Sequence, residues 1–221
     1  MNKTLQFLKQ LNQNNSREWF QSQDKSYQQT QEELKLLVKQ IETHMNTIDS
    51  IDSASTKVFR IYRDVRFSKN KTPYNIHRSA SFRRFGAERR GGYYLRIENG
   101  ASMIAGGFFG PQPADLLHIR KQIQQEPDQL QKIIDHPDVL SFFGGLTGEQ
   151  VKTSPRGFDK NDPALPLIKY KHFLLKHTFN DSEVTSDNFS EKVKEGFAKM
   201  RPFLDYMTGI LTTDLNGEPI I

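Results

Sequence analysis

The chain reads as an α+β protein in which a mainly antiparallel sheet lies between N-terminal helices and one long C-terminal helix packed on it. Three observations predict this. Apolar residues recur at helical spacing over residues 1–50 and again over 187–207. Between them, residues 57–109 hold short alternating runs joined by Gly, Pro and Asn, and consecutive short strands joined by turns pair antiparallel. No internal repeat and no linker divides the chain, so 1–221 is expected to be a single domain. It comprises a helical part (1–50), a basic strand-rich part (51–110), and a last part (111–221) of helices, a long loop, one strand and the C-terminal helix.

Taken in order, Leu5, Leu8 and Leu11 share one side of a short helix that Asn12 to Asn15 terminate. Asn15 and Glu18 have the spacing of a capping box that starts a further helical turn through Trp19 and Phe20. From Asp24, the stripe Tyr27, Leu34, Leu37, Val38, Ile41, Met45 and Ile48 predicts a long scaffold helix. Residues 57–67 then alternate as a strand. Phe59, Ile61, Arg63, Val65 and Phe67 fall on one face, and Arg60, Tyr62, Asp64 and Arg66 on the other. An arginine on an apolar face is costly without a partner, so either a bulge reverses the alternation near Arg63 or its side chain reaches a buried group.

Ser68 to Tyr74 reads as a turn, and 78–85 as a second strand with Ala80, Phe82 and Arg84 opposite Ser79, Ser81, Arg83 and Phe85. A loop over 86–92 precedes a hairpin, in which Tyr93, Leu95 and Ile97 share a face and Asn99-Gly100 makes the turn into 102–109. The glycines from Gly106 to Gly110 lead through Pro111 and Pro113 into a helix carrying Leu116, Ile119 and Ile123. That glycine-rich turn lacks the Lys-Ser/Thr ending of a phosphate loop, and close packing explains it better. Leu130 to Ile134 continues the helical region, and residues 144–166 are loop. In the strand predicted over 169–179, Phe173, Leu175, His177 and Phe179 face one way. Asp187 or Asn188 caps the last helix, whose stripe is Phe189, Val193, Phe197, Met200, Leu204 and Met207, and Pro202 should kink or divide it.

Composition narrows the function. The absence of cysteine excludes disulfides, thiolate metal sites and thiol chemistry, and fits a reducing cytoplasm. No apolar run is long enough to span a bilayer, and the N-terminus lacks the apolar core of a signal peptide, so no membrane partner is expected. The six histidines form no metal-binding pair, and no serine sits in a nucleophile elbow. Charge is the positive signal. Residues 57–96 hold twelve Lys or Arg against two acids, while the rest of the chain holds 19 basic and 24 acidic residues. So local an excess favours an anionic partner.

The run Arg60-Ile61-Tyr62-Arg63-Asp64-Val65-Arg66-Phe67-Ser68 followed by Lys71-Thr72-Pro73-Tyr74 resembles the signature of a widespread, mainly bacterial family of uncharacterised proteins, a domain of unknown function. The likeness takes in Asn14-Asn15, Glu18-Trp19-Phe20, Tyr93-Tyr94-Leu95, Gly106-Gly107, Ile119-Arg120 and Pro155-Arg156-Gly157-Phe158-Asp159, in family order and over most of the chain. The resemblance implies a single-domain cytoplasmic protein of similar length, and brings no reaction, substrate or cofactor. The chain departs from the family pattern at Asn70, where aspartate is expected, and at Asn75, where lysine is expected.

Arginine forks bind carboxylate or phosphate bidentately, and a neighbouring tyrosine can hydrogen-bond or stack. Arg60, Tyr62, Arg63, Arg66, Lys71 and Tyr74, with Arg96 and Arg156, are therefore candidate ligands for a phosphorylated or carboxylated small molecule. Asp64 would orient the cations or serve as a catalytic acid or base, and whether the protein is an enzyme stays open. Asp64, Glu98, Asp159 and Asp162 could also meet as paired carboxylates. A rival reading is a nucleic-acid-binding module that uses the basic, aromatic-interleaved segment 57–96. Another is a protein-interaction scaffold in which the Arg–Asp motif is purely structural. Oligomeric state is left open.

Overall fold

In a computed structural model, which describes residues 1–86 and 88–220, the chain is mixed helix and strand. It begins with α1 (Asn2–Gln13), α2 (Arg17–Ser22) and α3 (Asp24–Met45), followed by β1 (Lys57–Val58), β2 (Arg78–Arg83), β3 (Gly92–Ile97) and β4 (Ser102–Phe108). Then come α4 (Pro113–Gln125), α5 (Pro127–Ile134), α6 (Pro137–Phe143), α7 (Leu165–Ile168), β5 (Phe173–Phe179), α8 (Asp181–Val184) and α9 (Phe189–Thr212). The five strands form one antiparallel sheet in the order β1-β2-β3-β4-β5. No helix among the described residues is long and apolar enough to cross a membrane. The expected loop 86–92 includes Ala87, which lies outside the described residues.

The residues divide into two compact units, one of Met1–Arg83, Tyr94–Ile104 and Thr178–Glu195, the other of Arg84–Tyr93, Ala105–His177 and Gly196–Ile221. In the first, the predicted stripe of α3 is buried from Tyr27 to Met45, and Leu5, Leu8 and Leu11 of α1 are buried with it. An aromatic cluster of Phe7, Leu8, Leu11, Phe20, Tyr27, Ile61 and Tyr74, with Trp19 packed against it, joins the N-terminal helices to the segment after β1. Phe20 lies flat on Tyr74 with ring centroids 4.0 Å apart, and stands 4.8 Å from Tyr27.

In the second unit, Tyr93 lies 4.8 Å from Phe197 of α9. A Cβ on Gly107 would come within 2.1 Å of the Phe173 carbonyl oxygen, so close backbone approach is what requires glycine there. Both Gly106 and Gly107 lie inside β4 rather than in a turn. The long loop is pinned rather than free, because Thr147 bridges Leu174 and Gln150 bridges Tyr170. Helix α9 runs as one element through Pro202, which does not divide it.

The expected strand over 57–67 is corrected. Pairing with β2 covers only Lys57 and Val58, and Phe59 N–H adds one bond to the Ser79 carbonyl at 2.9 Å. Beyond that the segment leaves the sheet. Ile61 keeps its inward direction at 1% exposure, but Phe67, its partner in the alternation, is 96% exposed. There the backbone pairs within its own loop instead, Tyr62 bridging Tyr74 and the Arg63 N–H donating to the Pro73 carbonyl. The capping assignment is also corrected. Ser16, not Asn15, caps α2 by accepting from the Trp19 N–H.

Candidate functional site

The segment after β1 folds as a hairpin-like loop closed at its base by backbone bonds. Tyr62 bridges Tyr74, Arg63 N–H donates to the Pro73 carbonyl at 2.9 Å, and Asn75 N–H donates to the Ile61 carbonyl at 2.8 Å. Asn15 completes this base. Its Nδ2 donates to the Tyr74 carbonyl at 3.0 Å and its Oδ1 accepts the Tyr74 N–H at 3.1 Å. One carboxamide thus plays the part of a neighbouring strand for Tyr74, across 59 residues of sequence. Ile61 and Tyr74 anchor the loop in the aromatic cluster.

Most charges of the motif hold the loop together. Arg63 Nη1 donates to the Thr72 hydroxyl and, at 3.3 Å, to the Thr72 carbonyl, while Nη2 lies 3.4 Å from the Ser68 hydroxyl. That is the partner an arginine at this position needs. Asp64 and Arg66 form a forked pair, with Nε to Oδ1 at 3.0 Å and Nη2 to Oδ2 at 2.6 Å. The Arg66 fork and backbone N–H, with the charge of Arg60 behind them, hold the Asp64 carboxyl below its ordinary range, and Asp64 in turn raises Arg66. Lys71 Nζ donates to the Val65 carbonyl at 3.0 Å, tying the loop tip back on itself. Asn70 Oδ1 accepts from both the N–H and the hydroxyl of Thr72, each at 2.9 Å, closing an Asx turn. An aspartate makes the same turn, so the departure from the family pattern at residue 70 preserves this geometry.

Two clefts open beside the loop, both within the first unit. One, of about 310 Å³, is lined by Phe59, Arg60, Tyr62, Asn75, His77, Ser79 and Tyr94. The other, of about 270 Å³, is lined by Asn12, Asn15, Arg63, Asn70, Thr72, Tyr74, Asn75, Ile76 and His77. Asn75 and His77 belong to both walls. The clefts therefore bring together four of the expected residues. Arg60 and Tyr62 line the first cleft, and Arg63 and Tyr74 the second. Tyr74 is 4% exposed and belongs mainly to the core, where burial raises its phenol above the usual value.

Asp64, Arg66, Lys71 and Arg96 line neither cleft. Arg96 is paired with Glu98 on the face of β3 opposite Leu95 and Ile97. Arg156 belongs to the second unit, exposed in a turn that the Ser154 hydroxyl closes on the Phe158 carbonyl at 2.5 Å. The four acids weighed as paired carboxylates are each held locally, Asp64 by Arg66, Glu98 by Arg96, Asp159 by the Asn161 N–H, and Asp162 by the Ala164 N–H. No cluster of three or more His, Cys, Asp or Glu among the described residues could hold a metal ion.

Arg60 differs from its neighbours. It is exposed at the first cleft and makes no hydrogen bond or close ion pair with a described residue. Beside it stands His77, one of the six histidines that form no metal-binding pair in the sequence. Burial first, then the charges of Arg96, Arg63 and Arg78, push the His77 imidazole down to about 4, so it is neutral at pH 7. Its ring engages no described residue in a hydrogen bond. Arg78 adds to this field from inside. At 1% exposure it has no carboxylate partner, and is held by the Tyr27 hydroxyl at 3.2 Å and by Gln31. Sequence spacing was the available signal for His77, which precedes β2 and, two residues before Ser79, lines the first cleft with it.

The site can therefore offer a free guanidinium, a neutral imidazole, an uncharged carboxamide and three aromatic walls, in a field set by cations. No curated protein and no solved structure matches the chain. A family model described as "Conserved hypothetical protein (DUF2461)" matches residues 3–206, nearly the whole length. The chain belongs to this family of conserved hypothetical proteins.

Proposed function

We propose that the protein binds a phosphorylated or carboxylated small molecule at the cleft beside Arg60, with Tyr62 and His77 as its neighbours. The observation that carries this reading is Arg60 itself, a guanidinium lining a cleft that no carboxylate among the described residues holds in a hydrogen bond or close ion pair. A guanidinium in that position presents two parallel donors to an oxyanion. His77, kept neutral, can donate one hydrogen bond and accept another without contributing charge. Arg63, Arg66, Lys71 and Asp64 support the site indirectly by giving the loop its shape, and Asp64 is a positioning group in this reading rather than a catalytic one. The same reading treats the chain as a single domain and puts it in the cytoplasm, in keeping with a sequence free of cysteine.

The test is calorimetric titration of inorganic phosphate and citrate into the wild type and Arg60→Ala. Binding by the wild type that is lost in a variant with an unchanged melting temperature supports the site. Equal binding by the two proteins refutes it.

A nucleic-acid reading draws support from one separate observation. Phe67 stands at the tip of the loop, 96% exposed, with the Arg66 guanidinium 5.9 Å from its ring centroid. An exposed aromatic beside cations is what stacking of an unpaired base uses. Titration of a single-stranded oligonucleotide at several salt concentrations separates the readings, since phosphate tracking gives a steep fall of affinity with salt.

A further inference from the structure

We infer that the two clefts hold one ligand, and that this ligand is a polyhydroxylated anion: an acidic group at Arg60 and a hydroxyl-bearing body across Asn75 and His77. The inference rests on the anion-binding reading above and adds the chemistry of the rest of the molecule.

It follows from which hydrogen-bonding groups are already engaged. In the second cleft Arg63 is held by Thr72 and Ser68. Asn15 has both ends of its carboxamide on the Tyr74 backbone, and Asn70 Oδ1 closes its turn. What remains is Asn75 and His77, both half-buried, Asn12, exposed at the rim, and the Asn70 amide nitrogen, none bonded to a described residue. The second cleft therefore offers no free cation, only uncharged groups that donate and accept together. A carboxamide meets a hydroxyl on both counts, since each is at once donor and acceptor. It meets a second phosphate on one only.

Size and wall chemistry point the same way. At about 310 and 270 Å³, each cleft alone lies near or below the lower limit of ligand pockets, roughly 300 Å³. The two share Asn75 and His77, so a molecule larger than a bare anion reaches from one into the other past those side chains. Phe59, Tyr62 and Tyr94 give the first cleft aromatic surface, with Phe59 and Tyr94 edge to face at 6.3 Å. Such walls suit the C–H faces of a polyol carbon skeleton, while its hydroxyls turn to Asn75 and His77. Asn75 leaves this shared wall without a charge of its own.

Three probes of like charge test this by calorimetry: inorganic phosphate, butyl phosphate and ribose 5-phosphate. Ribose 5-phosphate is expected to bind the wild type about tenfold more tightly than butyl phosphate, the worth of one or two hydrogen bonds. Asn75→Leu should abolish that margin while leaving butyl phosphate affinity within about twofold. Asn12→Ala, on the exposed rim, provides a second variant that keeps its fold and should narrow the margin. Equal affinity of the wild type for ribose 5-phosphate and butyl phosphate overturns this inference and leaves the anion site standing. Failure of all three probes to bind overturns both.

Discussion

Two sets of cations lie within fifteen residues of one another and have opposite fates. At the loop tip, Arg63, Arg66 and Lys71 are engaged by Thr72, Ser68, Asp64 and the Val65 carbonyl. At the cleft, Arg60 faces solvent unengaged, beside an imidazole that has stayed neutral. The first set gives the loop a shape, with Arg63 and Lys71 held by neutral oxygens and Arg66 paired with Asp64 at short range. Arg60 has no such short-range partner among the described residues, and the charges of Arg96, Arg63 and Arg78 act on His77 beside it. Density of charge in a sequence thus does not by itself locate a binding site. In the proposed reading, what locates it is the charge left over after the fold has satisfied its own bonds.

If the loop is a scaffold and the cleft the working surface, their variants should separate into losses of stability and losses of binding. The largest stability effect is expected at the anchor. Tyr74→Ala removes the ring stacked on Phe20 and should cost about 3–5 kcal/mol in urea unfolding. A cost below about 1 kcal/mol would mean that the loop does not depend on the aromatic cluster.

His77 comes next and gives a pH signature. Its imidazole titrates near 6.5 when unfolded and at about 4 when folded, so the unfolded chain takes up a proton first as pH falls. Stability from this group is complete above 6.5 and declines through the window down to 4. About 1 kcal/mol, allowing for solvent screening of a half-buried ring, should be lost between pH 7 and pH 5, a range above most carboxylate titrations. His77→Gln should flatten that part of the stability curve. Parallel curves for the two proteins would show that His77 is not held neutral by its surroundings.

The smallest effect is expected at Asn70. Asn70→Asp keeps the acceptor of the Asx turn and should be nearly neutral in thermal melts, whereas Asn70→Ala should cost about 1 kcal/mol. Equal behaviour of the two variants would remove that turn from the loop's supports.

Much of the frame was readable from local pattern. The buried face Tyr93, Leu95 and Ile97 of β3, the stripes of α3 and α9, and the inward face of β5 at Phe173, Leu175 and Phe179 follow from period alone. The segment that carries the proposed site stands out in the sequence by its charge. The extent of the strand after β1 was not readable, because alternation reports where side chains point and says nothing of whether a neighbouring backbone is paired. Arg63 was rightly marked as needing a partner, but that partner, Thr72, lies across a loop whose path no local rule supplies. Asn15 reads as a helix cap and serves instead as a clamp on Tyr74, a contact over 59 residues. Arg78 and His77 escaped for a related reason. Their roles come from burial and from one another's fields, which exist only once β2, β3 and the loop have met.

The account turns on one contrast, Arg60 against Arg66, two arginines six residues apart. Phosphate titrated at fixed ionic strength into the wild type, Arg60→Ala and Arg66→Ala measures it directly. The account predicts that Arg60→Ala weakens binding at least about tenfold and Arg66→Ala by less than about twofold, with both variants melting near the wild type. Equal losses in the two variants, or loss confined to Arg66→Ala, would contradict it.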